Sequence, residues 1–183
     1  VGYMWESDSF VPGSQIVNGA ADEITALWHA ELPHLSVEHI DAVCLKHLSE
    51  ASAAPVCDFH DYLPKLKAAG FKLGVATNDF EIGATSQLGD YDAVRYFDFI
   101  CGFDSGFGSK PGPGMIYGFC EATGLKPHEV AMVGDSTHDL FAGEAAGVGL
   151  KIGVLTGPAT AKDIEGTSDV ILPDITSILD HLR

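Results

Sequence analysis

Asp135 and Asp139 sit four residues apart in the stretch VAMVGDSTHDLFAGEAAG (residues 130–147), where an apolar run meets a glycine and then an alanine-rich helical pattern. Hard cations such as Mg²⁺ take oxygen ligands, and Mg²⁺ commonly shares one or two carboxylates with a phosphate group. The carboxyl end of a parallel strand is also where open α/β sheets hold their ligands. The spacing therefore points to a Mg²⁺ site made by Asp135 and Asp139. A simpler use also exists, because Asp135 or Ser136 in front of the helix would serve as its N-cap. Two acids exceed what a cap requires.

Two further polar groups follow predicted strands. Thr77-Asn78-Asp79 closes FKLGVAT. A hydroxyl and free amide N–H groups at a strand–helix junction can bind phosphate, and the same pair can equally cap the next helix. Gly108-Ser109-Lys110-Pro111 lies in a glycine-rich loop after FDFIC. Pro111 biases Lys110 toward extended geometry, which would turn its ammonium to the sheet edge as a point charge for phosphate or carboxylate. The alternative is a solvated surface lysine.

The elements that must position these groups are legible in outline. Residues 1–20 show no clear period and carry Pro12, Gly13 and Gly19, which predicts irregular structure. In residues 22–32, Ile24, Leu27, Trp28 and Leu32 form a helical stripe. Ser36 reads as an N-cap for a helix over 37–52, with Val37, Ile40, Val43, Cys44 and Leu48 on one face. Residues 51–55 are a small-residue connector, so the first 55 residues read as a helical layer without strands. Helices over 58–69, 81–88 and 113–123, and one that follows the third strand and ends at Gly147, then alternate with strands over 71–77, 97–101, 130–133, 151–155 and 170–172. Gly70, Gly124 and Gly147 are the helix stops. Alternation of this kind predicts an α/β fold with a doubly wound parallel sheet.

Composition bounds the partners. Among 183 residues, 26 acidic side chains face 10 Lys and Arg, a formal net charge of −16. That balance excludes nucleic-acid backbones and anionic membranes as partners, but not a small phosphorylated substrate held by a local cation and one lysine. Cys44, Cys57, Cys101 and Cys120 are scattered without a CxxC pair, which predicts free thiols in a reducing, cytoplasmic setting. No histidine set has zinc-type spacing. His138 is expected to face water at a helix start, and Trp28 to pack between the first helices.

The ordered set LGVATN, GSKPGPGM and VGDSTHD resembles the second, third and fourth motifs of the haloacid dehalogenase superfamily, in the manner of its phosphoglycolate phosphatase-like members. The resemblance implies a Rossmann-like core over residues 56–183 and part of a small helical cap over 1–55. It implies that Thr77 hydrogen-bonds the transferring phosphoryl group with help from the Asn78 backbone. Lys110 would neutralise the phosphate, and Asp135 and Asp139 would hold Mg²⁺, the latter directly or through water. Such roles match the demands of phosphoryl transfer, in which positioning and charge neutralisation dominate. The implied activity is a Mg²⁺-dependent hydrolysis of a small phosphorylated metabolite through an aspartyl-phosphate.

The family's first motif, an apolar strand ending in DxDxT, does not occur in the sequence. The nearest match is Glu6-Ser7-Asp8-Ser9, where a glutamate would displace the attacking oxygen by a methylene. The chain starts at Val1, and the expectation is that preceding residues with the central strand are absent, that a gap is left in the sheet, and that this chain is inactive. The alternative is a non-catalytic phosphate- and metal-binding module of the same fold. A receiver-like domain would order its acids before the threonine and the Lys-Pro pair, opposite to the order here. A dehalogenase would not need the second acid at Asp139. Oligomeric state is left open.

Overall fold

Polar caps and glycines mark the helix ends. The computed structural model describes residues 3–4, 9–10, 14, 19–50, 54–157 and 159–182. Helix α1 (Ala21–Glu31) packs on α2 (Val37–Glu50), and the Ser36 hydroxyl accepts the His39 N–H at 3.2 Å where α2 begins. The Asp58 carboxylate caps α3 (Phe59–Ala68) by accepting the His60 N–H at 2.9 Å. Beyond it lie α4 (Glu81–Asp90), α5 (Gly114–Thr123), α6 (Thr137–Ala146), and the one-turn helices α7 (Ala161–Ile164) and α8 (Ile178–His181). Gly70, Gly124 and Gly147 follow α3, α5 and α6 with φ of +92°, +74° and +73°, the left-handed conformation that glycine adopts without steric penalty.

The expectation of no strands near the start is corrected. Tyr3–Met4 (β1) pairs antiparallel with Ser9–Phe10 (β2), and polar residues without alternation gave no period-2 signal. Glu6 and Asp8 lie outside the described residues, as do 51–53 of the predicted connector. Strand β3 (Gly74–Ala76) pairs in parallel with β4 (Phe99–Cys101). Strands β5 (Ala131–Gly134), β6 (Leu150–Val154) and β7 (Val170–Leu172) form a second parallel sheet in that order, with Gly134 opposite Gly153. The expected α/β architecture is present, but its parallel strands form two sheets rather than one.

Between them runs a cleft of about 1120 Å³ lined by both β3 and β5, together with apolar groups such as Leu63, Leu66, Met115 and Ile178. Among the described residues each of these two strands has a ladder partner on one side only. The consequence shows in burial. Ile152 of β6 is fully buried, whereas Val75 and Val133, central in β3 and β5, are only partly covered. The core is divided likewise. Tyr62, Leu63, Leu66 and Ala93 form one cluster beside β3. Ile116, Cys120, Met132, Ala142 and Ala146 form a second, and Ile152, Val154 and Ile178 a third, around the β5–β7 sheet.

The first two helices bury less than their stripes suggest. In α2 only Ile40 of the predicted face is buried, and Val37 and Val43 are exposed. The Leu48 side chain is outside the described residues. Trp28 is half-buried, while Ala21 and Thr25 carry the buried side of α1. Thr25 donates to the Asp41 carboxylate at 2.6 Å, so a polar bond joins the pair where an apolar seam was expected. The four cysteines are free, and burial pushes the Cys101 thiol up to about 12, keeping it protonated.

Candidate active site

Thr77, Asn78, Lys110, Asp135 and Asp139 all line the cleft, brought there by the chain segments that leave β3, β4 and β5. Lys110 is no surface lysine. Its side chain is 13% exposed, its ammonium donates to the Asp139 carboxylate at 2.6 Å and to the Ala76 carbonyl at 2.7 Å, and Asp139 itself is 8% exposed. The Ala76 carbonyl belongs to the open edge of β3. Leu73 accepts from Asp98, and Thr77 donates to Cys101, on the opposite edge toward β4, and successive residues alternate between the two. The lysine thus bridges the exposed edge of one sheet and the helix that follows the other.

The loop carrying Lys110 is held by Asn78. The Asn78 side-chain amide donates to the Lys110 carbonyl at 3.0 Å, and its oxygen accepts the Lys110 N–H at 2.8 Å. The Lys110–Pro111 peptide is cis. Sequence reasoning assigned Asn78 to the phosphate through its backbone and missed this side-chain clamp. The Thr77 hydroxyl accepts the Asp79 N–H at 3.1 Å, a turn bond that does not cap α4, whose N-cap is Phe80 without a side-chain bond. Among the described residues the hydroxyl's own proton has only a distant partner, Asp79 Oδ2 at 3.5 Å, beyond a good O–H···O bond.

The two acids are held differently. Asp139 Oδ2 accepts the Ser136 N–H at 3.1 Å and the Ser136 hydroxyl at 2.9 Å, and Oδ1 accepts Lys110. Capping therefore uses one oxygen of Asp139 and leaves Asp135 free of that task. A side chain at Gly134 would overlap the Asp139 carboxylate, so this glycine gives the acid its room. Burial, and after it the Asp139 charge, raises the Asp135 carboxyl above its usual range. Its own backbone N–H and Lys110 act against that rise without cancelling it.

A cation beside Asp135 would relieve this excess negative charge. Two carboxylates suit Mg²⁺, which fills its remaining positions with water and phosphate oxygens. No cluster of three or more His, Cys, Asp or Glu suited to a metal occurs among the described residues. His138 departs from its expected water-facing role. It lines the cleft, and its Nδ1 is buried without a hydrogen-bond partner among the described residues.

The parallel α/β fold thus gathers a lysine, a threonine and paired acids where its strands end, at one cleft. A family model of haloacid dehalogenase-like hydrolases matches residues 24–152, and the chain belongs to that family. It is similar to the phosphoglycolate phosphatase of Psychrobacter arcticus, with 28% identity over 156 residues, covering 83% of this chain and 67% of the relative. It is also similar to that of Escherichia coli K12, with 34% identity over 125 residues, covering 67% of this chain and 48% of the relative. The chain therefore spans about half the length of the E. coli enzyme. In three dimensions it matches a predicted phosphoglycolate phosphatase from Haemophilus somnus 129PT with a TM-score of 0.72 and 22% identity, over 91% of this chain and 79% of that one. At that identity the match speaks for the fold.

Proposed function

We propose that this chain carries the phosphate- and Mg²⁺-handling part of a phosphatase site for a small phosphorylated metabolite of the phosphoglycolate kind. The observation that carries the reading is the Lys110 ammonium, buried between the Asp139 carboxylate and the Ala76 carbonyl at a cleft that Thr77 and Asp135 share. Lys110 neutralises phosphate charge, and the unspent Thr77 proton hydrogen-bonds a phosphoryl oxygen. Asp135 would hold Mg²⁺ directly, and Asp139, with both oxygens hydrogen-bonded, would hold it through water. When bound, Mg²⁺ supplies charge neutralisation to the phosphoryl group. Residues 1–55 belong to a partial helical cap and 56–183 to the core, and the setting is cytoplasmic. No helix among the described residues is long and apolar enough to cross a membrane.

The chemistry of the reading is covalent. An aspartate oxygen attacks phosphorus, the bond to the substrate oxygen breaks with protonation of that oxygen, and water then cleaves the aspartyl-phosphate. The DxDxT motif that would supply this aspartate is absent from the sequence, so the 183 residues alone are expected to bind phosphate without turning it over. The cleft between the open edges of β3 and β5 supports the placement of a further strand there.

The test adds a synthetic apolar strand ending in DxDxT to the chain, with Mg²⁺ and phosphoglycolate. Peptide-dependent phosphate release is the expected result. Full turnover from the unsupplemented chain of verified mass would overturn the inactivity. Phosphate binding with no release in either case would favour the non-catalytic module. Absence of phosphate affinity with Mg²⁺ present would remove the reading altogether.

A further inference from the structure

We infer that Gly157, a residue with no assigned role, is a positioning residue that sets the orientation of the Asp135 carboxylate by contact. The parallel register that places Gly134 opposite Gly153 brings the segment after β6 alongside the segment after β5. That segment is tied down by the Leu155 N–H, which donates to the carbonyls of Leu172 and Pro173 at 3.2 Å each. At Gly157 a side chain would lie 2.7 Å from Asp135 Cβ and closer still to the carboxyl carbon and Oδ2. Carbon atoms do not approach so closely, so one of the two must move. Gly157 is not among the residues of positive φ, so φ is no bar to alanine there, and the three atoms nearest to a side chain at that position all belong to Asp135.

The contrast with Asp139 gives the contact its meaning. Asp139 is oriented by three hydrogen bonds, from Lys110 and from the N–H and hydroxyl of Ser136. Asp135 has its own backbone N–H and no side-chain donor among the described residues, so packing against Gly157 decides where its oxygens point. The site therefore holds one acid by bonds and the other by shape. The metal consequence rests on the Mg²⁺ reading above, whereas the contact itself does not.

A double-mutant cycle separates the two. Thermal unfolding in EDTA is measured for the chain, Gly157→Ala, Asp135→Ala and the double variant. Gly157→Ala is expected to lower the melting temperature in the parent. In the Asp135→Ala background, where the carboxylate is gone and the Cβ remains at 2.7 Å, the loss is expected to be clearly smaller. The control Gly166→Ala, whose site has open space and no positive φ, should be neutral in both. Equal effects of Gly157→Ala in both backgrounds would overturn the inference. Calorimetric titration with Mg²⁺ supplies the second readout, and Gly157→Ala should bind at least about 10-fold more weakly, the range found when groups that orient metal ligands are changed. Undiminished affinity in Gly157→Ala would overturn the orienting role. A parent chain that binds no Mg²⁺, yet shows the coupled unfolding, would sink the metal reading and leave the contact standing.

Discussion

Lys110 and Asp139 form an ion pair at 2.6 Å, with 13% and 8% of their side chains exposed, and the same ammonium takes the Ala76 carbonyl of β3. One side chain thus ties the open edge of the first sheet to the helix that follows the first strand of the second. Lys110→Met leaves Asp139 charged, buried and missing its cation, a change that costs about 3–5 kcal/mol in comparable pairs. Replacing both partners by apolar residues should recover much of that loss. Urea unfolding of the two single variants and the double variant checks both statements, and phosphate affinity should vanish in all three.

Asn78→Ala removes both bonds that hold the Lys110 backbone. Two partly buried backbone groups then lose their partners, at about 1–3 kcal/mol each. The lysine loop should loosen, and phosphate affinity should fall even though the ammonium is still present. Backbone relaxation by NMR, read at residues 108–112, would show the loosening. An unchanged loop would mean that the other contacts of the segment hold Lys110 without Asn78.

Asp135 has a carboxyl raised by burial and by Asp139. A carboxylate whose folded value lies above its unfolded one favours the folded state most in acid. That contribution is lost as pH rises through the folded value. At neutral pH the ionised Asp135 therefore works against the fold in the absence of a cation. Asp135→Asn should raise the melting temperature of the metal-free chain at pH 7, and the gain should disappear below the usual carboxylate range. The same variant should lose the stabilisation that Mg²⁺ gives the parent.

Asp98 should behave in the opposite sense. Burial raises its carboxyl, but the Lys67 ammonium at 2.5 Å, the Leu73 N–H at 2.8 Å and Lys72 outweigh it, so the net shift is downward. A lowered carboxyl stabilises the fold above the ordinary range and loses that contribution as pH falls through the folded value. Asp98→Asn should therefore destabilise the chain at pH 7, with the difference closing in acid. Melting curves collected from pH 7 down to about 3 decide it.

Helix boundaries were readable because their signals are local. Ser36 caps where a cap was expected, Asp58 caps the helix it was read as starting, and Gly70, Gly124 and Gly147 stop helices with their own backbone angles. Strand length was overread at β3, where the apolar run 71–77 yields ladder pairs only at 74–76. Apolar character says that a strand wants burial, but partners on both edges decide how far the ladder runs. The five site residues were visible as strand-end polar groups. Their bonds were not, because the Lys110–Asp139 pair spans 29 residues and the Asn78 clamp 32. Gly157 carried no signal at all, since its neighbour Asp135 is set by sheet register. The exposed Val37 and Val43 broke the predicted face of α2 because a helical stripe does not reveal what lies opposite it.

The division of the parallel strands bears on how the molecule comes apart. A continuous sheet transmits protection from strand to strand, so its amides open together. Among the described residues β3–β4 and β5–β7 share no ladder, and different buried clusters back them, with the half-buried Ile175 packed against two of these. The links across include Lys110–Asp139 and the Tyr62 hydroxyl donating to the Ile175 carbonyl at 2.5 Å. Hydrogen exchange should therefore resolve two cooperative units, with amides of residues 74–76 and 99–101 released ahead of those in 131–134 and 150–154. A strand lodged in the cleft would merge the two into one.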